Sequence, residues 1–172
     1  MSLIQINDLS IALGLPLFSG LSVTLNKGDR VGLVAGNGRG KSTLLRCIAG
    51  DLDPTSGDIT RSRGLRVGYL QQEIPERLLN MTLYDAVLDA LPAEQAEFES
   101  WRVDVVLDDL KIPFVHHQKL LSELSGGWQR ITLLARVWVG EPDVMLMDEP
   151  TNHLDLSRIG ILQEWLNTVA RT

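Results

Sequence analysis

The feature that most constrains this chain is a glycine-rich stretch, Val34–Leu45, which reads VAGNGRGKSTLL. It follows a short apolar run, Arg30–Val34, and opens an apolar segment, Thr43–Ala49, of helical composition. A strand, a G-x-x-x-x-G-K-[ST] loop and a helix, in that order, build a cradle for an anion. Gly36, Gly38 and Gly40 allow turns that a β-carbon resists. Successive N–H groups along Gly36, Asn37, Gly38, Arg39 and Gly40, and on to Thr43, can then converge on phosphate oxygens at a helix N-terminus. Lys41 adds a mobile positive charge for β/γ-phosphate oxygens, and Ser42 offers a hydroxyl to Mg²⁺. Ala35 stands where the pattern has its first glycine. Alanine is at ease at negative φ, so the change touches how the loop begins and not what it is for. The bland alternative, a glycine-rich turn holding a chance Gly-Lys-Ser, sits poorly with the strand and helix on either side.

At 172 residues the chain is one domain's worth, long enough to bury a core. Its formal net charge of −6 argues against a sequence-independent grip on a nucleic acid backbone, so direct DNA binding is not expected. An anionic ligand must be held by a local device, which the glycine loop supplies. Cys47 is the single cysteine, which excludes an internal disulfide and fits a reducing compartment. Set among Leu44, Leu45, Ile48 and Ala49, it reads as a buried structural thiol. No signal peptide and no run of roughly 18 apolar residues is visible, so the expectation is a soluble, cytoplasmic protein.

Along the chain, Leu3–Leu13 carries apolar positions at 3, 4, 6, 9, 11 and 13 and predicts one or two strands, broken at Gly14 and Pro16. Leu21–Leu25 predicts a strand ended by the Asn26–Asp29 turn, and Arg30–Val34 a strand feeding the loop. After a helix to about Gly50, Asp58–Thr60 and Leu65–Leu70 predict two more strands. The texture then turns helical. Met81–Leu91 has helical spacing with Thr82 as a plausible cap, and Pro92 ends it. Ala93–Leu110 predicts one or two acidic helices with Phe98, Trp101, Val105 and Leu110 on a common side. Ser125 can cap a helix over 126–139 whose buried face is Ile131, Leu134, Ala135 and Val137/Trp138. Val144–Met147 predicts a buried strand and Leu156–Val169 an amphipathic helix.

Three further stretches carry chemistry. Asp148 and Glu149 end the buried strand; one carboxylate can face the loop to hold Mg²⁺ directly or through water, while the other polarises an attacking water. Gln71 and Gln72 follow a strand and suit contact with a metal or water, or are two surface glutamines. Ser125, Gly126 and Gly127 open a helix, a place that favours an anion but also suits a simple N-cap.

The order of these stretches, with LSGGWQR at Leu124–Arg130 and MLMDEPTNHLD at Met145–Asp155, resembles the nucleotide-binding domain of ATP-binding-cassette (ABC) proteins across essentially the whole chain. The wording DEPTNHLD resembles the ABC-F branch, soluble tandem-cassette ATPases that often act on ribosomes. The resemblance implies an α/β fold: a P-loop NTPase core of ABC type (residues 1–73 and 136–172) with an inserted α-helical subdomain (74–135). It implies ATP and Mg²⁺ as cofactors, Gln72 rather than Gln71 as the reporter of γ-phosphate, Asp148 at the metal and Glu149 as the base. It also implies that Ser125, Gly126 and Gly127 act in trans on nucleotide held by a second cassette, with hydrolysis on head-to-tail dimerisation. Asn152 and Asp155 resemble the loop crossing that interface; Asp155 could equally cap the helix that follows.

Several departures belong beside the resemblance. The family's switch histidine lies one strand beyond the final helix, and the sequence stops at Arg171-Thr172, so a cassette lacking that strand is expected. His153 is not that residue, and His116 and His117 read as surface residues of the helical insert. Arg39 replaces a commoner small residue and is either simply exposed or an extra phosphate or partner contact. Partners beyond a second cassette are a ribosome or, alternatively, the membrane subunit of a transporter. A DNA-repair cassette needs a long coiled coil between Gln72 and Ser125, where only about fifty residues lie, without heptads. The adenine site usually has an aromatic ring near Ile11–Leu13, and here the residues are Ile11, Ala12 and Leu13, with Phe18 poorly placed to replace it. GTP is therefore expected to compete appreciably with ATP; a nucleotide competition assay showing about hundredfold preference for ATP would count against this.

Overall fold

The computed structural model describes residues 1–152 and 154–169. His153 and the terminal Ala170, Arg171 and Thr172 lie outside the described residues, as do the side chains of Leu13 and Val169. The chain forms two compact units, one from residues 1–69 and 142–148, the other from residues 70–141 and 149–172.

In the first unit β1 (Ser2–Leu13) lies between β2 (Leu15–Asn26) and β3 (Ser56–Arg61) in an antiparallel three-stranded sheet. Leu3–Leu13 is thus one strand, and its apolar spacing has a physical reading. Ile4 and Ile6 are buried at even positions, Leu9 and Ile11 at odd ones. A strand presents alternate residues to one face, so a change of phase needs an extra residue. The pairing registers shift between Ile6 and Leu9, where Asp8 adopts φ 48°. This bulge returns the apolar side chains to the core face. Gly14, at φ 76°, is the hairpin turn rather than a break, since Leu13 pairs with Leu15 and β2 runs well beyond Leu21–Leu25.

The expected strand at Arg30–Val34 is a correction: these residues are not in a strand, and Val31, Leu33 and Val34 are exposed. A β-strand is sustained by ladder partners, and this segment has none among the described residues. α1 (Lys41–Ala49) follows the glycine loop. Its end is closed by Gly50 at φ 96°, whose N–H bonds to the Arg46 and Cys47 carbonyls. Arg61 on β3 donates to the carbonyls of Cys47 and Ile48, placing a cation at the helix C-terminus. β4 (Val67–Leu70) and β5 (Val144–Met147) form a second, two-stranded sheet. Leu146 of β5 joins Leu44 and Ile48 of α1 and Ile4, Ile6 and Leu9 of β1 in one core. Cys47 is buried, and desolvation, then the charge of Asp53, pushes its thiol up, as befits a structural cysteine.

The second unit is helical. It contains α2 (Leu83–Leu88), α3 (Ala93–Phe98), α4 (Trp101–Asp109), the short α5 (Phe114–His117), α6 (Gly126–Trp138) and α7 (Leu156–Val169). Thr82 caps α2, accepting from the Asp85 N–H at 3.0 Å. α6 packs against α2 and α4, burying Ile131, Leu133, Leu134 and Ala135. On α4 the buried face is Val103, Val106 and Leu107, continuing to Leu110, while Phe98, Trp101 and Val105 are exposed. The expected common side therefore points outward, apart from Leu110. The face includes Arg102, only 8% exposed, whose guanidinium reaches the Val139 carbonyl at 2.7 Å and pairs with Glu99 and Glu141. A buried cation with such partners marks the inward side that apolar spacing alone misassigned.

Gly57 sits at φ 81°, where an added β-carbon would lie 2.4 Å from the Asp8 carbonyl oxygen and 2.6 Å from that of Asn7. Gly57→Ala is expected to destabilise the protein by about 2 kcal/mol through backbone strain and overlap with β1, measured as a lowered urea midpoint.

Candidate functional site

In the first unit the glycine loop ends in left-handed residues, Gly38 at φ 72° and Gly40 at φ 85°. The Arg39 N–H turns back to the Gly36 carbonyl at 3.3 Å, and the Leu44 N–H reaches Gly40 at 2.8 Å as the helix begins. Ala35 is not among the positive-φ residues, so the alanine fits where the pattern has glycine. Gly36, Asn37, Gly38 and Arg39 are exposed, while Gly40 packs against Leu17 and Phe18. Phe18 packs against the core cluster that holds Ile4, Ile6 and Leu9 of β1. Lys41 is half-buried, and its Nζ donates to the carbonyls of Ala35 at 3.0 Å and Gly36 at 3.2 Å. The ammonium is thus folded over the loop whose N–H groups would meet an anion. Ser42 and Thr43 occupy the first turn of α1.

Asp148 directly follows β5 and is 4% exposed. Because β5 packs on α1, the sheet that carries this carboxylate and the helix that carries Lys41 and Ser42 share one core. Tyr69, at the end of the first unit's β4 segment, neighbours Asp148; burial and then the Asp148 charge push its phenol up. Nothing in the residue order points to this neighbour, since a tyrosine in a short strand has no spacing signature. Ser42 hydroxyl and Asp148 carboxylate are an oxygen-only donor pair, which fits Mg²⁺, an ion that completes its shell with water and phosphate oxygens. Among the described residues there is no group of three or more His, Cys, Asp or Glu that could hold a metal ion.

The second unit carries the other candidate residues. Gln71 and Gln72 are exposed, and both carbonyls accept hydrogen bonds from Arg130 Nη1. Glu149 adopts φ 45°, an uncommon conformation for a residue with a β-carbon. Its carbonyl accepts from Arg130 Nη2 at 3.3 Å and from the Asn152 N–H at 3.1 Å, and its carboxylate accepts from Asn152 Nδ2. Arg130 is the last residue of LSGGWQR, and nothing in the spacing of that motif assigns it these partners. Its role as a tie between these segments became visible in three dimensions.

Ser125 has N-cap backbone geometry but its hydroxyl makes no cap hydrogen bond, so the expected side-chain cap is absent. Ser125 and Gly126 are exposed; Gly127 is buried, with the Arg158 side chain so close that an added β-carbon would lie 2.7 Å from its Cδ. The Arg158 guanidinium lies 4.6 Å from the centre of the Trp128 ring and pairs with Asp155. Asp155 caps α7 by accepting from the Arg158 N–H at 3.0 Å and from Ser157 Oγ at 2.8 Å. The hydrogen bond from the Arg158 backbone, followed by that from Ser157, holds its carboxyl below the usual carboxylate range. His116 and His117 are not bystanders on the surface. Both are half-buried, His116 in tilted ring contact with Trp128 at 5.0 Å between centroids and His117 with Phe114 at 5.1 Å. The one-turn α5 brings these rings inward, and burial pushes the His116 imidazole down, with Lys119 adding to the effect.

The chain is similar to known proteins. The sequence family described as "ABC transporter" matches residues 18–152. The ATP-binding protein Uup of Buchnera aphidicola subsp. Acyrthosiphon pisum is 37% identical over 171 residues, covering 98% of this chain and 28% of its own length. ABC transporter F family member 4 of Arabidopsis thaliana is 35% identical over 150 residues, covering 87% of this chain and 21% of its own. The chain therefore spans between a fifth and a third of the length of these relatives. Among solved structures, a metal-chelate type ABC transporter in an inward-facing conformation superposes with a TM-score of 0.85 at 26% identity, over 100% of this chain and 70% of that one. An ATP-binding cassette in a dimeric post-hydrolysis state with ADP and Pi superposes with a TM-score of 0.81 at 19% identity, over 97% of this chain and 82% of that one, a likeness of fold.

Gly40→Ala is expected to be costly at the loop. It places a β-carbon at φ 85° and 3.1 Å from Leu17, so a loss of about 1–2 kcal/mol in stability is expected, with weakened binding of a fluorescent ATP analogue. Unchanged thermal midpoint and unchanged binding would show that the left-handed turn is not needed.

Proposed function

The chain belongs to the ATP-binding-cassette family of ATPases, and from that premise we propose that it binds ATP with Mg²⁺ and hydrolyses the nucleotide when two cassettes meet head to tail. The observation that carries this reading is the first unit's pairing of glycine loop and buried carboxylate: Lys41 and Ser42 at the start of α1, Asp148 after β5, one core beneath them. Gly36, Asn37, Gly38, Arg39, Gly40, Lys41, Ser42 and Thr43 bind the phosphates through N–H groups, the Lys41 ammonium and the Ser42 hydroxyl. Mg²⁺, when bound, neutralises charge at the β- and γ-phosphate oxygens. In the first unit Asp148 and Ser42 would hold the ion; in the second, Gln72 is assigned to sensing γ-phosphate and the metal, and Glu149 to taking a proton from the attacking water. Ser125, Gly126 and Gly127 present an uncapped hydroxyl and helix N–H groups to the γ-phosphate of the second cassette. Residues 1–73 with 136–172 act as the core and 74–135 as the helical subdomain of one cassette.

The branch we favour is ABC-F: a soluble, cytoplasmic ATPase that works on the ribosome. DEPTNHLD at 148–155 supports it, as does the likeness to the F-family member of Arabidopsis. No helix among the described residues is long and apolar enough to cross a membrane. A second reading, the energy subunit of a transporter, is favoured by one observation, the exposed Phe98, Trp101 and Val105 along α3 and α4, an apolar stripe that a partner could cover. Fractionation of cells expressing the full reading frame separates the two, by sedimentation with ribosomes or with membranes.

In the full-length protein Glu149→Gln is expected to lower ATP turnover by about 100-fold or more while nucleotide binding persists, and to accumulate an ATP-bound dimer in size-exclusion chromatography. The 172-residue chain alone is expected to turn over ATP barely at all, because the signature residues act in trans. Vigorous hydrolysis at low concentration by the chain alone, or full activity in the glutamine variant, would overturn the assignment.

A further inference from the structure

Arg130 is 5% exposed. Its Nη1 donates to the carbonyls of Gln71 and Gln72, the latter at 3.1 Å, and its Nη2 donates to the carbonyl of Glu149 at 3.3 Å. A guanidinium holds its donors in a rigid planar fork, so carbonyls bound by one fork have their mutual placement fixed by it. Two of the three residues so tied are those assigned above to γ-phosphate sensing and to the base. The third, Gln71, precedes the sensor directly. Because the bonds are to backbone oxygens, the Gln72 side chain is left exposed, and that of Glu149 is engaged by Asn152 instead. Glu149 also sits at φ 45°, a conformation that persists only where its surroundings over-determine it. Arg130 supplies one of the two hydrogen bonds on its carbonyl, and the Asn152 N–H supplies the other.

Arg130 itself stands in the second turn of α6, the helix whose first residues are Gly126 and Gly127. Resting on the proposed function, we propose that Arg130 is a positioning residue that ties the sensor segment and the base segment to the signature helix. A second cassette docking at Ser125–Gly127 acts on the N-terminus of α6. The Arg130 fork carries that event to Gln72 and Glu149 through the backbone, so the base and the sensor are brought into register when the partner's nucleotide arrives. An arginine suits this task because it keeps its charge while buried, and its two terminal nitrogens reach three backbone carbonyls from one planar group.

The test uses the full-length protein with Arg130→Met, Arg130→Lys, Gln72→Ala and the double variants with Gln72→Ala. ATP turnover by the wild type is measured first. If it is absent, the proposed function falls, whereas wild-type turnover that the Arg130 variants leave intact overturns only the assignment of Arg130. The expected result is that Arg130→Met lowers kcat about tenfold or more, because small misplacements at reacting groups are costly. Its dissociation constant for a fluorescent ATP analogue stays within about threefold of wild type. Arg130→Lys recovers part of kcat, since an ammonium donates to carbonyls but not as a fork. In the double variant with Gln72→Ala the two losses combine to less than their product, as expected for groups acting through one another. Equal losses of kcat and binding alongside a lowered urea midpoint would mean that Arg130 only holds the fold together and would overturn the proposal. So would losses that multiply in full. Where Arg130→Met does not fold, the lysine variant and its combination with Gln72→Ala carry the same comparison.

Discussion

The contact on which the candidate site depends is the packing of Leu146 on β5 against Leu44 and Ile48 on α1. A helix start can offer N–H groups and a strand end can offer a carboxylate, but neither is useful unless something fixes one relative to the other. Here that task falls to a few aliphatic side chains with well-defined rotamers, backed by Ile4, Ile6 and Leu9 of β1. Polar chemistry is then arranged around the rim of an apolar contact. Lys41 and Ser42 emerge at one end of the helix, and Arg61 closes the other through the Cys47 and Ile48 carbonyls. The two ends of α1 are thus treated oppositely, in keeping with the sign of the helix dipole at each.

Much of this was legible in the residues because it rests on local rules. The glycine loop, the helix after it, the strand Val144–Met147 and the final helix Leu156–Val169 all follow from spacing and turn chemistry, and the last two are found with the bounds expected. The phase change in β1 was written in the sequence as apolar residues at 4, 6, 9 and 11, although only the bulge at Asp8 explains it. What could not be read depends on partners distant in sequence. Arg30–Val34 has strand composition, but composition does not supply a ladder. The stripe of Phe98, Trp101 and Val105 has helical spacing, yet the inward face of α4 is chosen by Arg102 and its partners at Glu99, Val139 and Glu141. At the site, the positions of the motif residues were legible, whereas Tyr69 against Asp148 and Asn152 against Glu149 were not, since each is a single pair with no repeating pattern.

The second unit shows a recurrent device, the arginine turned inward to bind backbone. Arg102 holds the Val139 carbonyl, Arg130 those of Gln71, Gln72 and Glu149, and Arg136 that of Ala86. Irregular segments leave carbonyls without helical or sheet partners, and burying them unpaired is costly. A guanidinium answers several at once because it brings up to five donors on one long stem. Asp89 completes the arrangement around Arg136. Although burial opposes its ionisation, hydrogen bonds from Arg77 and Arg136 keep its carboxyl below the ordinary value.

The folded-back Lys41 has an implication for how any anion must arrive. In this conformation the ammonium is already satisfied by Ala35 and Gly36, so the visitor does not fall into an expectant trap. It must trade places with the hairpin's own oxygens. Affinity then measures a swap between two sets of acceptors, and a weakly charged guest loses that contest to the chain itself. Such a latch rewards ligands whose charge is dense enough to draw the side chain away, which is a filter by charge rather than by shape.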